Sequence, residues 1–344
     1  MAASVLKAES SSMIIHAGWS KEELTDEKVS KLFISKFKEI ATSYESRSAN
    51  QDLKSGGPWY PIQYSTVLQK LNQHKRLNFL MKNNAFYHGY PPEEFTHLAN
   101  AQNLGGKEPC AYQIKPDCEP VRGLNNALAG RVSLIDCSEA VQLAMYAALQ
   151  EILGDEKFNQ KFSGKGQSPL FLHPDIKETP LFTLGLVKEV ESHETPELGD
   201  CVYFSNIPDY VPRHSNGDAR GYHAICVGSD QEGKERKYVA FGTPSEGITK
   251  DEMYDILIQE FNKPPIDLFS ILSNDLAKEL TDQTKAFRTC LLKYNKLDVV
   301  NLELDREGFQ RVIEATKRGA RLSLKAGLAP LFRHFDINGI KALL

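Results

Sequence analysis

The stretch that decides the fold covers residues 135–162 and reads IDCSEAVQLAMYAALQEILGDEKFNQKF. Small and apolar residues recur in it at steps of three and four, which places them on one stripe of a helix. The members of that stripe are Cys137, Ala140, Val141, Ala144, Met145 and Ala148. Gly154 follows the periodic residues, where a glycine often ends a helix. We therefore predict a helix over residues 136–153.

Cys137 falls in the first turn of this predicted helix. Asp136 has the chemistry of an N-cap residue, and Glu139 three residues later gives the spacing of a capping box, with Asp in place of the usual Ser or Thr. The unpaired N–H groups and the positive dipole end of a helix start favour thiolate over thiol. The same N–H groups can donate to a developing oxyanion. Cys137 is therefore a candidate nucleophile, and a packed structural cysteine is the alternative.

Short runs rich in β-branched and aromatic residues follow a Gly/Pro-rich loop, at 200–204, 222–227 and 237–241. Turn residues separate them, which predicts an antiparallel sheet. Helical periodicity is found at 28–43 and 64–82, and it returns from residue 249 onward. The predicted fold class is α+β, in which the helix that carries the cysteine packs on a small antiparallel sheet.

His223 lies at the start of the second predicted strand. In papain-like thiol enzymes the nucleophile begins a helix and the histidine begins a strand of the following sheet, and this chain has the same order. His223 is therefore the candidate general base. His173 and His214, both in predicted loops, are alternatives, and a packed histidine of the core is the other interpretation of His223.

Four segments together carry a family resemblance. Residues 135–162 are followed by LGDCVYF at 198–204, RGYHAICVGSD at 220–230 and KYVAFG at 237–242. In content and order they resemble the bacterial spore-coat type of protein-glutamine γ-glutamyltransferase, or transglutaminase, a family with a papain-like fold. The resemblance covers residues 111–275. It implies that Cys137 is the nucleophile and that Asp136 occupies the place of the family's acidic neighbour.

The chain departs from the family's pattern at two positions. Tyr222 stands where the family has a catalytic glutamate, and Phe241 stands where it has a histidine. His223 is one residue past the glutamate position and would face the opposite side of a regular strand. A β-bulge or a one-residue shift of the alignment would restore it to the family's face. The resemblance assigns no third catalytic residue.

The resemblance implies acyl transfer at protein glutamine side chains through a cysteine thioester. A lysine amine would resolve the thioester as a crosslink, and water would resolve it as a deamidation. Two alternatives stay open, a cysteine peptidase of papain-like fold and a catalytically decayed module that binds proteins. We expect a protein substrate that bears glutamine, and lysine for crosslinking, and we expect no cofactor.

Composition excludes several classes of protein. The 344 residues carry 41 Lys+Arg against 45 Asp+Glu, so no overall basic character favours nucleic-acid binding. No apolar run approaches the roughly 18 residues of a membrane span. Six cysteines are too sparse for a disulfide framework, and without CxxC or HExxH spacing we expect no metal site.

The chain is expected to have three parts and a cytoplasmic location. Residues 1–110 are predicted as a mainly helical N-terminal extension, 111–275 as the catalytic core and 276–344 as a helical C-terminal region. The first residues lack the pattern of a secretory signal. Delivery into a host cell as a bacterial effector is the alternative location. The oligomeric state is left open.

Overall fold

The computed structural model describes residues 18–48, 94–97, 111–128, 137–166, 168–173, 175–189, 195–206, 210, 221–230, 232–240, 243–262, 305–308, 327–330 and 334–344. The helices are α1 (Asp26–Ser48), α2 (Pro120–Leu128), α3 (Cys137–Leu153), α4 (Asp155–Phe162), α5 (Pro180–Thr183), α6 (Lys250–Asn262) and α7 (Ile337–Leu343). The strands are β1 (Phe95–His97), β2 (Tyr112–Ile114), β3 (Phe171–Leu172), β4 (Val187–Lys188), β5 (Cys201–Ser205), β6 (Gly221–Ser229), β7 (Arg236–Ala240), β8 (Ile248–Thr249), β9 (Gly327–Pro330) and β10 (His334–Phe335).

Helix α3 is the central element of the molecule, and it begins within one residue of the predicted start. Every residue from 138 to 149 is buried. A helix that is buried on all sides needs partners all round, and α1 packs along it. An ion pair between Lys36 and Glu151, at 2.8 Å, links the two helices. The helix predicted from the sequence periodicity is thus confirmed as the core of the fold.

Gly154 ends α3 and allows the next helix to begin at once. Its φ of +76° lies in the region that favours glycine. The turn brings α4 back against α3, where Tyr146 meets the ring of Phe162 edge-on at 5.4 Å between centroids. Both aromatic residues are fully buried, so this contact extends the core beyond the end of α3.

The described strands form antiparallel sheets. The largest has five strands in the order β8-β7-β6-β5-β9, and the two smaller ones have the orders β1-β2-β3 and β10-β4. All of the recorded strand pairs are antiparallel. The predicted class, helices combined with antiparallel sheet, is therefore confirmed.

The five-stranded sheet separates two apolar clusters. One face contributes Cys201, Ile225 and Val239 to the large cluster that α1 and α3 also form. The other face is covered by α6 and by Tyr210, and its strand members are Val202, Phe204, Ala224, Cys226, Tyr238, Ala240 and Ile248. Side chains alternate between the two sides of a strand, so the register of β5 against β6 fixes which residues meet α3.

Elements from both flanking regions pack into the same structure. The rings of Phe33 in α1 and Phe335 in β10 meet edge-on at 5.4 Å between centroids. Strand β9 pairs with β5, and β10 pairs with β4. The C-terminal region, expected to be helical, thus contributes two short strands as well as α7. The predicted helix at 64–82 lies outside the described residues.

Candidate active site

The candidate nucleophile begins the central helix. Cys137 is the first residue of α3, and the residues that follow it, Ser138, Glu139 and Ala140, are all buried. The first N–H groups of a helix have no partner within the helix, so a buried helix start concentrates positive partial charge. A helix start of this kind can stabilise a thiolate and polarise a carbonyl placed against it. Asp136 and the Cys137 side chain lie outside the described residues.

The candidate base lies on the sheet face that meets this helix. In the register of β5 against β6, Cys201 pairs with Ile225 and Tyr203 pairs with His223. Cys201 and Ile225 belong to the cluster that α3 forms, and β6 itself contacts α3. His223 is two residues before Ile225 and therefore shares its face.

Burial on this face decreases along the two strands. Cys201 and Ile225 are fully buried beneath the helices, whereas Tyr203 and His223 are half-buried. The rings of Tyr203 and His223 are 4.8 Å apart between centroids and tilted by 54°. His223 therefore lies where this face of the sheet becomes partly exposed to solvent. A base that acts on a substrate side chain needs such exposure.

Tyr222 lies on the other side of the strand. It pairs with Phe204 and packs against the cluster beneath α6, away from α3. The register shift in β6 falls between Cys226 and Gly228, beyond His223 along the chain. The pairing of β6 is regular from Gly221 to Ile225, so a bulge that would restore His223 to the family's face is not found in that part of the strand. Within β6 it is His223, and not Tyr222, that faces the helix that begins at Cys137.

His173, one of the alternative bases, is held by its own neighbours. Its backbone N–H donates to Gln142 Oε1 at 3.0 Å, and its carbonyl accepts from Gln142 Nε2 at 2.6 Å. Its ring Nδ1 accepts from the N–H of Asp175 at 3.0 Å. His173 is nearly buried, and these bonds give it a structural role at the side of α3. His214, the other alternative, and Phe241 lie outside the described residues.

Two of the cysteines whose side chains are described, Cys226 and Cys118, are in environments that favour the neutral thiol. Burial raises the pKa of Cys226, which lies beneath α6. Burial and the charge of Asp117 raise the pKa of Cys118. Cys201 is buried in the large cluster. Cys110 and Cys290 lie outside the described residues.

Two features of the site were not predicted from the sequence. Tyr203 faces His223 only because β5 and β6 pair in one register, and no local motif encodes that register. Gln142 and Tyr146 of α3 bond to the backbone after and within β3, Tyr146 through its hydroxyl to the carbonyl of Phe171 at 3.0 Å. These polar residues lie within a buried helix, and that position is the signal that could have found them.

The described residues contain neither a cluster of metal ligands nor a helix that could span a membrane. Within those ranges, no three His, Cys, Asp or Glu side chains gather closely enough to hold a metal ion. Among the described helices, none has the length and apolar character of a bilayer span.

Comparison with known proteins agrees with the sequence motifs. Residues 94–263 match the family model of protein-glutamine gamma-glutamyltransferase. This segment belongs to that family. The transglutaminase segment contains α3 together with strands β5, β6 and β7, so both Cys137 and His223 lie within it.

Two curated relatives are similar to part of this chain. The protein-glutamine gamma-glutamyltransferase of Bacillus subtilis (strain 168) is 28% identical over 134 residues, which are 38% of this chain and 46% of that protein. The enzyme of the same name from Bacillus pumilus (strain SAFR-032) is 28% identical over 122 residues, which are 35% of this chain and 44% of that protein. The chain thus spans less than half the length of either relative.

A solved structure of a transglutaminase is also similar. It is the transglutaminase from Geobacillus stearothermophilus (without C-terminal extension), at 18% identity and a TM-score of 0.42. The alignment covers 71% of this chain and 87% of that chain.

Proposed function

We propose that this chain is a cysteine-dependent transglutaminase that acts on the side chains of protein glutamines. In this proposal Cys137 is the nucleophile, His223 is the general base and acid, and Asp136 caps the helix start that carries the thiol. The observation that carries the proposal is the face of β6: within a transglutaminase segment, His223 lies on the side of the sheet that packs on the Cys137 helix.

The reaction begins with transfer of the Cys137 proton to the imidazole of His223. The thiolate attacks the carboxamide carbon of a glutamine side chain, and N–H groups at the start of α3 stabilise the oxyanion. When the C–N bond breaks, His223 returns the proton to the departing nitrogen. Ammonia leaves, and a thioester joins the substrate to Cys137.

A second nucleophile then resolves the thioester. A lysine amine gives an isopeptide crosslink, and water gives a glutamate, which is a deamidation. In either case His223 takes a proton from the attacking group and returns it to the departing sulfur. The proposal favours crosslinking, because the names of the matched family and of both curated relatives describe γ-glutamyl transfer.

We further propose that the catalytic unit is papain-like and is centred on residues 111–275. The support is a cysteine at the start of a central helix, followed by an antiparallel sheet that carries a histidine. Helix α1 and strand β9, from the flanking regions, pack on this unit and complete its core. A cytoplasmic site of action, or delivery into a host cell, remains part of the same proposal.

The test measures both products of the thioester. The full chain is incubated with a glutamine-rich protein whose lysines are methylated, with and without a fluorescent primary amine. We expect time-dependent labelling by wild type, loss of labelling in Cys137→Ala, and a loss of about a hundredfold or more in His223→Ala. Asp136→Ala should weaken labelling less than either.

Mass spectrometry of the same samples separates the alternatives. Incorporated amine supports transglutaminase action, and glutamate formed even with amine in excess identifies a deamidase. A shortened substrate would identify a peptidase. Wild-type activity in Cys137→Ala would remove Cys137 from the mechanism, and no product under any condition would favour a protein-binding module.

A further inference from the structure

We propose that Tyr203 is a positioning residue, which holds the imidazole of His223 in the orientation that serves Cys137. This inference rests on the proposed function, because it concerns the same base. It extends that function by a residue that the sequence motifs do not assign and that acts only through His223.

Tyr203 has a fixed backbone. Its strand, β5, is paired on both sides, with His223 opposite Tyr203 in β6 and Ala329 opposite it in β9. An interior strand has little freedom to slide or tilt, because both neighbours would have to move with it. The Cα of Tyr203 is therefore held more firmly than it would be on the edge of a sheet.

The ring of Tyr203 also has a restricted direction. A Cβ atom added at Gly221 would overlap the phenol ring, at both its Cζ and its hydroxyl oxygen. The phenol thus lies over the bare backbone of Gly221, two residues before His223 on the same face. Gly221 is needed here because of the close approach of the ring.

Two neighbouring side chains therefore limit the positions that the His223 ring can take. Ile225, fully buried, is the next residue of β6 on this face, and the Tyr203 ring lies across the strand pair at 4.8 Å. Tilted aromatic pairs at this separation attract each other beyond simple area burial. The Tyr203 ring therefore restricts the rotamers of the imidazole, and a base gives its full rate only when it is held in reach of the proton that it takes.

The experiment compares ring removal with ring retention in the full chain. Tyr203→Leu should lower kcat for amine incorporation by roughly tenfold with KM for the glutamine donor little changed, because imidazole alignment affects the chemical step. Tyr203→Phe keeps the ring and should retain most of the wild-type kcat. Gly221→Ala should lower kcat as well, because its methyl group displaces the phenol.

Tyr222→Leu is the matched control, since it removes a half-buried tyrosine one residue from His223 on the opposite face. It should keep the wild-type kcat. A second readout does not depend on activity: with ¹³C-labelled histidine, the ring signal of His223 should shift in Tyr203→Leu and stay in place in Tyr203→Phe and Tyr222→Leu. Each variant is compared at equal folded fraction, measured from its thermal unfolding.

The two proposals fail in different ways. If His223→Ala is inactive but Tyr203→Leu has the wild-type kcat and an unchanged His223 signal, the positioning role is wrong and the proposed function stands. If Tyr203→Phe is as impaired as Tyr203→Leu, the ring contact is not what matters and the positioning role is again wrong. If His223→Ala keeps the wild-type activity, the proposed base is wrong and the positioning role fails with it.

Discussion

Gln142 of α3 bonds twice to the backbone of His173, donating to its carbonyl at 2.6 Å and accepting from its N–H at 3.0 Å. Both residues are nearly inaccessible to solvent. The side-chain amide of Gln142 thus satisfies both backbone groups of the residue that follows β3. These two hydrogen bonds join the central helix to the small sheet. Tyr146, one turn later on α3, extends this junction to Phe171.

Replacing Gln142 with leucine should destabilise the protein strongly. Leucine fills a similar volume but leaves the N–H and carbonyl of His173 buried without these partners, which costs roughly 2–4 kcal/mol of unfolding free energy. Urea unfolding followed by circular dichroism measures the change. Gln150→Leu is the control, since its amide bonds to Asp155 in a more accessible place and should cost less. Equal losses in the two variants would show that the His173 junction carries no special stability.

Gly199, in the LGDC motif, should be intolerant of any side chain. It has a φ of +89°, and a Cβ there would lie 2.8 Å from Cβ of Ser30 in α1. Gly199→Ala should therefore cost at least about 3 kcal/mol, combining backbone strain with a forced shift of α1. Substitution of Gly233 measures the backbone strain without the steric clash, because its φ is +70° and nothing lies within 4 Å of an added Cβ.

Gly233→Ala should cost only about 1–2 kcal/mol, the backbone strain alone. Unfolding free energies from denaturant titration of both variants give the comparison. If the two substitutions cost the same, α1 does not press on the LGDC turn in solution.

Local signals made much of the fold predictable. The periodicity of residues 136–153 and the glycine that follows them predicted α3 and its end, and alternating runs predicted β5, β6 and β7 close to their observed bounds. These elements are encoded within a few residues of themselves. The candidate nucleophile was found for the same reason, because a helix start is a local feature.

The sequence could not predict which residues meet across the fold. The contact of Tyr203 with His223 depends on the register of two strands joined by a long connection, and a one-residue slip of either strand would turn its side chain to the other face. The contact of Ser30 with Gly199 joins residues far apart in the chain. Such contacts are fixed by packing of the whole core, so sequence patterns left His173, His214 and His223 as competing bases.

The capping interaction at the start of α6 should make the free energy of unfolding depend on pH in the acid range. Thr249 and Glu252 form a capping box: the Thr249 N–H donates to Glu252 Oε2 at 2.7 Å, and the Glu252 N–H donates to Thr249 Oγ1 at 3.3 Å. The bond from the Thr249 backbone holds the pKa of Glu252 below its ordinary value. A depressed carboxylate pKa stabilises the folded state above the pKa of the unfolded chain, and this contribution is lost as pH falls through the folded-state pKa.

Glu252→Gln should therefore be less stable than wild type near neutral pH, by roughly 0.3 to 0.5 kcal/mol, since glutamine can still accept the Thr249 bond but lacks the negative charge at the helix start. The difference should shrink as the solution is acidified and Glu252 of the wild type becomes protonated. Thermal unfolding across a pH series measures it. Glu235→Gln, which changes an exposed glutamate outside any helix or strand, is the control. Its difference in stability from wild type should not shrink in this way as the pH falls. A difference between Glu252→Gln and wild type that is constant with pH would rule out this cap as the source.

Cys137 should react faster at neutral pH than the cysteines whose side chains the structure describes, Cys118, Cys201 and Cys226. The start of α3 favours its thiolate, whereas burial and Asp117 raise the pKa of Cys118, so a smaller fraction of Cys118 is ionised. Iodoacetamide should modify Cys137 at least about tenfold faster than Cys118, because a larger fraction of Cys137 is expected to be ionised. On going to alkaline pH, the rate of modification of Cys118 should keep rising after that of Cys137 has levelled.

Peptide mass spectrometry of timed samples measures both sites at once, and Cys137→Ser verifies the assignment. Equal rates for the two thiols at neutral pH would show that Cys137 is not an activated nucleophile, however well its position on the helix suits one.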